Sequence, residues 1–479
     1  MAALHLTAPD ALLNSPGSSV FDLPTQPLQP SYIHPHSRLV NSHVSDTPED
    51  RSFIIISGGT GCNAICAAFS QACYVLPVSD DGGSSSEIIR VLGGPSIGDI
   101  RSRLVRLMPS APSGSPLDAL RTLLAHRLPV NCSEQEARDQ WRAIVEGRSA
   151  LWVGIPNDRK ETIRGFLVYF ENEVLRRAHK NFSFLNGSIG NYFLAAAQGF
   201  FRSLPSAIFL FSSITGSQAN ILPVIVTNHT VTIAAELASG VSLIGQCEIS
   251  HPVRKSSFSI DNDLDDSALN LASPTDDLRA TLSKPKNMMF DAGSKVDFEA
   301  LDAPISRLYY INAYGHEIHP SPNPDYLSNL RAREVLVYAC GSLWTSIIPC
   351  LALRGVAAAI AGASSLRAKV LFLNSKNDRE TDGYAATDYI DAIVRTLNAS
   401  YRVEPYGLGH AATMYPVSAF ITHLVYLRGT SVEVDIQRVT ELGVRCVEVE
   451  SDVLGDDAVP LYDAACARRA MEKILAKEE

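Results

Sequence analysis

Two glycine-rich stretches hold the residues best suited to chemistry. They are Ser57-Gly58-Gly59-Thr60-Gly61 and Asp80-Asp81-Gly82-Gly83-Ser84-Ser85-Ser86. Glycines of this kind let backbone N–H groups approach an anion, and a helix that opens there adds its dipole. Two such loops side by side suit a phosphorylated or pyrophosphate-bearing ligand. Asp80 and Asp81 add a second chemistry. A carboxylate beside phosphate-binding amides makes sense chiefly with a cation between them, and Mg²⁺ favours one or two carboxylates plus phosphate oxygens. Neighbours in an extended segment point to opposite faces, so one of the two aspartates is expected to face the ligand. The alternative role for both is to cap the helix that follows.

Further polar groups punctuate the chain. In Ile97-Gly98-Asp99-Ile100-Arg101-Ser102-Arg103, Asp99 stands at a helix start, and Arg101 or Arg103 has the fork to grip a phosphate. A capped helix with a solvated arginine is the plainer reading. In Gly187-Ser188-Ile189-Gly190-Asn191, Asn191 either bonds a ligand or caps a helix. The run Asn374 to Tyr384 offers Glu380 and Asp382 as general-base or metal candidates, and Thr381 and Tyr384 as substrate contacts. A plain polar loop is the alternative there. His410 and Cys340 receive no role, and the serines form no Gly-x-Ser-x-Gly elbow. Gly59-x-Gly61-x-x-Ala64 matches a dinucleotide fingerprint, with Asp80 where a ribose-binding acid would sit. That acid runs straight into a second glycine loop, which counts against a simple NAD site.

The elements that must position these groups are strands followed by loops and helices. Phe53–Ile56 and Cys73–Val78 read as strands ending in the two glycine loops, each of which is expected to open a helix. Ser206–Ser212, Val224–Ile233, Ile305–Ala313, Val335–Cys340 and Lys369–Asn374 read as further strands, and Asn186–Phe201 as a helix. Alternating strands and helices imply an α/β, Rossmann-like fold: a mostly parallel sheet flanked by helices, with long insertions. Ligands of such sheets bind at the carboxyl ends of the strands.

Residues 1–50, rich in Pro, Ser and His, read as a disordered tail. The α/β domain is expected over 51–455, with polar insertions at about 109–180 and 251–287, and a C-terminal helix over 456–479. Within the first insertion, Ser133 and Glu136 have capping-box spacing ahead of a helix-like run to Glu146.

Composition narrows the class. The 479 residues are 46 % hydrophobic and 19 % charged, ordinary for a globular protein with a sizeable core. A formal net charge of -10 argues against a general nucleic-acid binder. Nine scattered cysteines, an odd count without a Cys-x-x-Cys pair, indicate reduced thiols rather than a disulfide framework or zinc site. There is neither a membrane-spanning apolar run nor a secretory leader pattern, so a cytoplasmic location is expected.

Taken in order, seven segments resemble the 2-phospho-L-lactate transferase (CofD-like) family, which includes the bacterial gluconeogenesis factors. They are Ile56–Gly61, Ser79–Ser85, Ile97–Arg101, Ser188–Asn191, Leu222–Val224, Gly341–Pro349 and Glu380–Tyr384. The resemblance implies a Rossmann-like domain that binds a nucleoside-diphosphate-linked small molecule. In the transferase branch, a phospholactyl group passes from a guanosine pyrophosphate donor to an acceptor hydroxyl with Mg²⁺. The other branch looks like a nucleotide-sugar site with a regulatory role. On this reading Gly58, Gly59, Thr60, Gly61, Gly82, Gly83, Ser84, Ser85, Asp99, Arg101, Asn191, Thr381 and Tyr384 bind the ligand. Asp80 and Asp81 hold Mg²⁺, and with Asp382 they are the catalytic candidates. No nucleic acid or membrane partner is expected, and a homodimer is compatible with the sequence. Ala339-Cys340 and Ser102 depart from the usual family pattern and suggest a eukaryotic member.

Overall fold

The computed structural model describes residues 51–59, 61–69, 72–251, 299–399, 414–455 and 457–476. Its strands are β1 (Phe53–Ile56), β2 (Cys73–Leu76), β3 (Asn220–Pro223), β4 (Thr232–Leu237), β5 (Ser242–Ile244), β6 (Ile305–Ile311), β7 (Glu317–Ile318), β8 (Val335–Tyr338), β9 (Ala368–Phe372), β10 (His423–Leu427) and β11 (Arg445–Val449). Helices α1 (Gly83–Leu92), α2 (Gly98–Arg106), α3 (Pro116–Ala125), α4 (Glu134–Val145), α5 (Asn157–Leu175), α6 (Ile189–Phe201) and α7 (Leu204–Thr215) precede β3. The later helices are α8 (Gln246–Ser250), α9 (Pro324–Ala332), α10 (Ile348–Leu351), α11 (Val356–Ala361), α12 (Ala386–Leu397), α13 (Ile436–Glu441) and α14 (Ala464–Leu475).

The large sheet has seven parallel strands in the order β11-β10-β9-β8-β1-β2-β3. The residues of β1, β2, β8 and β9 are buried throughout, because helices cover both faces of a parallel sheet and leave no strand a wet side. Chain order runs outward from β1 to β3, then starts again at β8 and runs the other way. The reversal falls between β1 and β8. There the loops after the two strands diverge and leave a crevice.

A second sheet, β5-β4-β6-β7, is antiparallel. Sequence reading placed Ile305–Ala313 in a mostly parallel sheet; β6 belongs to this separate layer instead.

Three other expectations change. Ser206–Ser212, expected as a strand, lies inside α7. Ser203 caps that helix, Pro205 sits in its first turn, and Gly216 closes it at φ 66°. Its buried positions 204, 207, 208, 211, 214 and 215 follow helical spacing. Val224–Ile233 is mostly connection, since β3 ends before it and β4 starts near its end. The polar insertion at 109–180 carries α3, α4 and α5, and its Trp141 is fully buried against Phe170, Phe184 and Tyr192. The capping box at Ser133 and Glu136 forms as spaced.

The C-terminal segment closes over the sheet. Tyr462 donates its hydroxyl to the Val425 carbonyl of β10 (3.0 Å), and its ring meets Phe372 of β9. Residues 1–50 and the bulk of the 251–287 segment lie outside the described residues, as does His410.

Candidate functional site

Loops after β1, β2, β8 and β9 gather at the carboxyl edge of the large sheet. The first glycine loop does not open an α-helix. Short 3-10 turns at Gly61–Asn63 and Cys66–Ala68 follow β1 instead, and Ala64 is exposed rather than packed under a helix. The dinucleotide fingerprint therefore lacks the helix and the close packing that give it meaning.

What the glycines permit is close approach. A Cβ on Gly58 would overlap the Ser346 side chain, and one on Gly59 would overlap the Asp99 carboxylate. A Cβ on Gly61 would lie 2.6 Å from the Cys340 carbonyl oxygen and 2.7 Å from the Gly341 Cα. The loops after β1 and β8 thus press together at the reversal point. Thr60 lies outside the described residues.

Arg103, a candidate for gripping phosphate, is fully buried behind this loop. Its Nη2 donates to the Gly58 carbonyl (3.0 Å) and to Ser57 Oγ (3.3 Å), and its guanidinium lies over the Tyr74 ring. It anchors the glycine loop from below rather than meeting solvent.

The second glycine loop does open a helix. Gly82 begins α1 with no side-chain cap, and Gly83 takes φ 53°, a left-handed conformation that glycine adopts without strain. Asp80 Oδ1 accepts from the Gly82 N–H (2.9 Å), and its Oδ2 lies beside Gly98. Asp81 turns the other way. Its Oδ1 accepts from the Cys247 N–H (2.9 Å), so it tethers the start of α8. Asp81 thus has a structural partner of its own, and its charge still raises Asp80.

The charge of Asp99 acts on Asp80 more strongly than that of Asp81. It stands in the first turn of α2, against Gly59, whose N–H is directed at the carboxylate. Burial, opposed chiefly by Arg103, pushes the Asp99 carboxyl up to about 6. Burial and then the charge of Asp99 push Asp80 well above the usual carboxylate range. The cluster carries more negative charge than its surroundings support. Among the described residues, no group of three or more His, Cys, Asp or Glu side chains could hold a metal. The Asp80–Asp99 pair is a two-carboxylate arrangement.

A hydrogen-bonded chain locks three helices around this pair. Arg101 Nε donates to Asn191 Oδ1 (2.9 Å), and Asn191 Nδ2 donates to Ser84 Oγ (2.7 Å). Ser188 caps α6 by accepting from the Asn191 N–H. Asn191 thus serves the network while its backbone is capped. Ser84 and Ser85 are buried, with Ser85 Oγ facing Gly98.

On the β9 side the picture differs from expectation. Glu380, a base or metal candidate, is a structural anchor. Its Oε1 accepts from Ser250 Oγ (2.6 Å) and Thr345 Oγ1 (2.6 Å). Its Oε2 accepts from the N–H groups of Trp344 (2.9 Å) and Thr345 (3.1 Å). All of its strong acceptor directions are taken, which leaves none for a ligand. Thr381, expected to touch substrate, is fully buried, with its hydroxyl shared between Asp378 and Tyr389. Tyr384 is half-buried and accepts from Trp344 Nε1 (3.3 Å). Asp382 is exposed beside Gly383.

A cleft of about 600 Å³ lies elsewhere, lined among others by Gly93, Tyr169, Arg177, Gln198 and Arg202. None of the glycine-loop residues or paired carboxylates borders it.

Residues 53–451 match the family described as 2-phospho-L-lactate transferase CofD. The chain belongs to the CofD family. The Saccharomyces cerevisiae protein YNL011C is 35 % identical over 434 residues, spanning 83 % of this chain and 95 % of the yeast protein. A gluconeogenesis factor of Halalkalibacterium halodurans is 21 % identical, over 72 % of this chain and 73 % of its own. A putative gluconeogenesis factor of Thermotoga maritima is also 21 % identical, over 72 % and 76 %. The crystal structure of a UPF0052-family protein from Bacillus halodurans superposes with a TM-score of 0.55 at 18 % identity, covering 88 % of this chain and 99 % of that one. That likeness shows a shared fold. The CofD family match spans both glycine loops, the Gly98–Asp99 turn and the Glu380 loop. Among the described residues, no helix is long and apolar enough to cross a membrane.

Proposed function

We propose that this CofD-family chain is a Mg²⁺-dependent transferase. It takes a nucleoside-diphosphate-linked donor at the carboxyl edge of the large sheet and moves its phospho-acyl, phospholactyl-like group to an acceptor hydroxyl. The observation that carries this reading is the meeting of Asp80 and Asp99 between the two glycine loops, with proton affinities raised by burial. Two buried carboxylates, one feeling the charge of the other, call for a cation. Hard oxygen donors, few in number, fit Mg²⁺. Asp80 and Asp99 would hold it, and once bound it would neutralise charge on the transferring group.

The chain's own residues do the positioning. The start of α1 has no side-chain cap, so N–H groups of its first turn are left for a phosphate, while the Gly82 N–H is held by Asp80. Arg103 fixes the Gly58 carbonyl inward. The Arg101–Asn191–Ser84 chain keeps α1, α2 and α6 in register, so the loops cannot spread. Asp382, exposed at the loop after β9, is the acceptor-side base candidate.

A second reading has a specific motive. Glu380 is fully engaged and Thr381 is buried, so the β9 loop offers little catalytic equipment beyond Asp382. Three relatives also carry the name gluconeogenesis factor or putative gluconeogenesis factor. On that reading the same edge binds a nucleotide sugar and regulates carbon metabolism without turnover. Mass spectrometry of small molecules that copurify with the protein, followed by incubation with Mg²⁺, separates the two. A nucleoside diphosphate fragment that appears with time supports the transferase. An intact nucleotide sugar without turnover supports the regulator.

A further inference from the structure

We infer that the cleft between α1, α5 and α6 is a second ligand site, for a small molecule with an apolar body and one anionic end. It is separate from the glycine-loop edge and does not depend on what that edge binds.

A volume of about 600 Å³ suits a small molecule. The cleft lies at the far ends of α1 and α6 from the paired carboxylates. The rise of an α-helix puts about 13 Å between Gly83, at the second glycine loop, and Leu92, at the cleft. Along α6 the same rise separates Asn191 from Gln198, which borders the cleft, by about 10 Å.

One wall is bare backbone. Gly93 and Gly94 take φ 79° and 92° in succession. A Cβ on Gly93 would meet nothing within 4 Å, and one on Gly94 would meet only Gln198 Oε1 at 3.5 Å. Leu92, Ala195 and Tyr169 supply apolar surface, with the Tyr169 ring beside Gly199 and edge-on to Phe200. Gln198 is held in place. Its Nε2 donates to Asn228 Oδ1 (2.9 Å), and Asn228 Nδ2 donates to the Arg202 carbonyl (2.8 Å). This chain braces the end of α6 against the segment after β3.

Charge selects the class of ligand. The whole chain carries -10, yet three arginines and one carboxylate border this cleft. Glu173 accepts from Nη1 of Arg176 and of Arg177, each at 2.7 Å, so both its oxygens are spent within the wall. The last carbonyls of α1, which would otherwise attract a cation, are covered. Lys180 Nζ donates to those of Val91 (3.3 Å) and Arg90 (3.4 Å). Arg202 is left over. Among the described residues, its guanidinium has no hydrogen-bond or ion-pair partner.

The backbone of Arg202 is the second observation. It closes α6 at φ 53° and ψ 31°, the left-handed conformation in which glycine or asparagine ordinarily ends a helix. A side chain with a Cβ costs free energy there, and no contact of the guanidinium among the described residues offsets it. An anion in the cleft would give that charge a partner.

The test is fluorescence titration of the full chain with 8-anilinonaphthalene-1-sulfonate, an aromatic body with one anionic group. N-phenyl-1-naphthylamine, the same body without the sulfonate, is the parallel arm. The parent should bind the sulfonate dye saturably at one site and the uncharged dye more weakly, and GDP should displace neither. Arg202→Gly removes the guanidinium and suits the backbone. It should melt no lower than the parent, bind the sulfonate dye about tenfold more weakly, and leave the uncharged dye unchanged. Gly199→Leu, which places a branched chain in the wall, should weaken both dyes. Sulfonate binding that Arg202→Gly leaves unchanged overturns the site, because the dye is then held only by exposed rings such as Phe209. Displacement of the dye by GDP overturns it as well, since the dye would then lie at the glycine-loop edge.

Discussion

Asp80 and Asp99 come from two different loops, and after burial the charge of Asp99 is the largest cause that raises the proton affinity of Asp80. One carboxylate arrives at the end of β2, the other on the first turn of α2. Neither has a lysine or arginine in a direct salt bridge among the described residues. A fold that holds two carboxylates this way trades stability for a site.

That trade gives a pH dependence. A carboxyl whose folded value is raised binds its proton more tightly in the native state than in the unfolded chain. The native state then holds more protons between the ordinary carboxylate range and the raised value, so stability falls as pH rises through that window. For Asp99 the window closes at about 6, and for Glu380, raised by burial and Asp378, at about 7. In metal-free buffer, the melting temperature should decline from about pH 5 to about pH 7. Asp99→Asn, neutral throughout, should melt higher than the parent at neutral pH, with the gap closing in acid. Parallel melting curves across this range would contradict the assignment.

Glu380 ties α8, the turn at Trp344–Thr345 and the β9 loop together. Glu380→Ala leaves two buried N–H donors and two hydroxyls without their acceptor. The expected loss is on the order of 3 kcal/mol. Glu380→Gln keeps an acceptor for the two N–H groups and offers its NH₂ to the hydroxyls, which can rotate to accept. It should remain within about 1 kcal/mol of the parent. Urea unfolding of both variants checks this. A Gln variant as damaged as the Ala variant would show that the charge, rather than the bonding pattern, is what counts.

Gly61 and Gly83 both belong to the glycine-rich loops, yet substitution should affect them differently. At Gly61 a methyl group meets the backbone of Cys340 and Gly341, which has nowhere to move. Gly61→Ala should cost roughly 2 kcal/mol through overpacking. At Gly83 no atom lies within 4 Å, and only the positive φ is at stake. Gly83→Ala should cost about 1 kcal/mol. Equal losses in denaturant titrations would mean that the contact between the β1 and β8 loops is looser than described.

Much of the central sheet was legible in the sequence. β1, β2, β8 and β9 are short apolar runs that stop at polar loops. The helix after Ser133 was legible because its cap is local. The strand proposed at 206–212 failed because an apolar run fits strand or buried helix equally well, and the deciding signals, Ser203, Pro205 and Gly216, lie at or beyond its ends. The site was legible in its loops but not in its pairings. Asp81 finds its partner 166 residues away at Cys247, and Glu380 finds one of its own 130 residues away at Ser250. No local pattern encodes such contacts.

In the proposed mechanism Asp80 and Asp99, and not Asp81, hold the ion that joins a nucleotide to the two glycine loops. Titration of GDP into the parent and into Asp80→Asn, Asp81→Asn and Asp99→Asn, with Mg²⁺ and again with chelator, tests it most directly. With Mg²⁺, Asp80→Asn and Asp99→Asn should each weaken binding by about tenfold or more. In chelator the same two should bind as well as the parent, or slightly better, because repulsion of the phosphates is relieved. Asp81→Asn should keep the parent's response to Mg²⁺, since its carboxylate holds α8 instead. If Mg²⁺ fails to strengthen GDP binding by the parent, or if Asp80→Asn and Asp99→Asn lose the same affinity in chelator as with Mg²⁺, the paired carboxylates do not hold the ion.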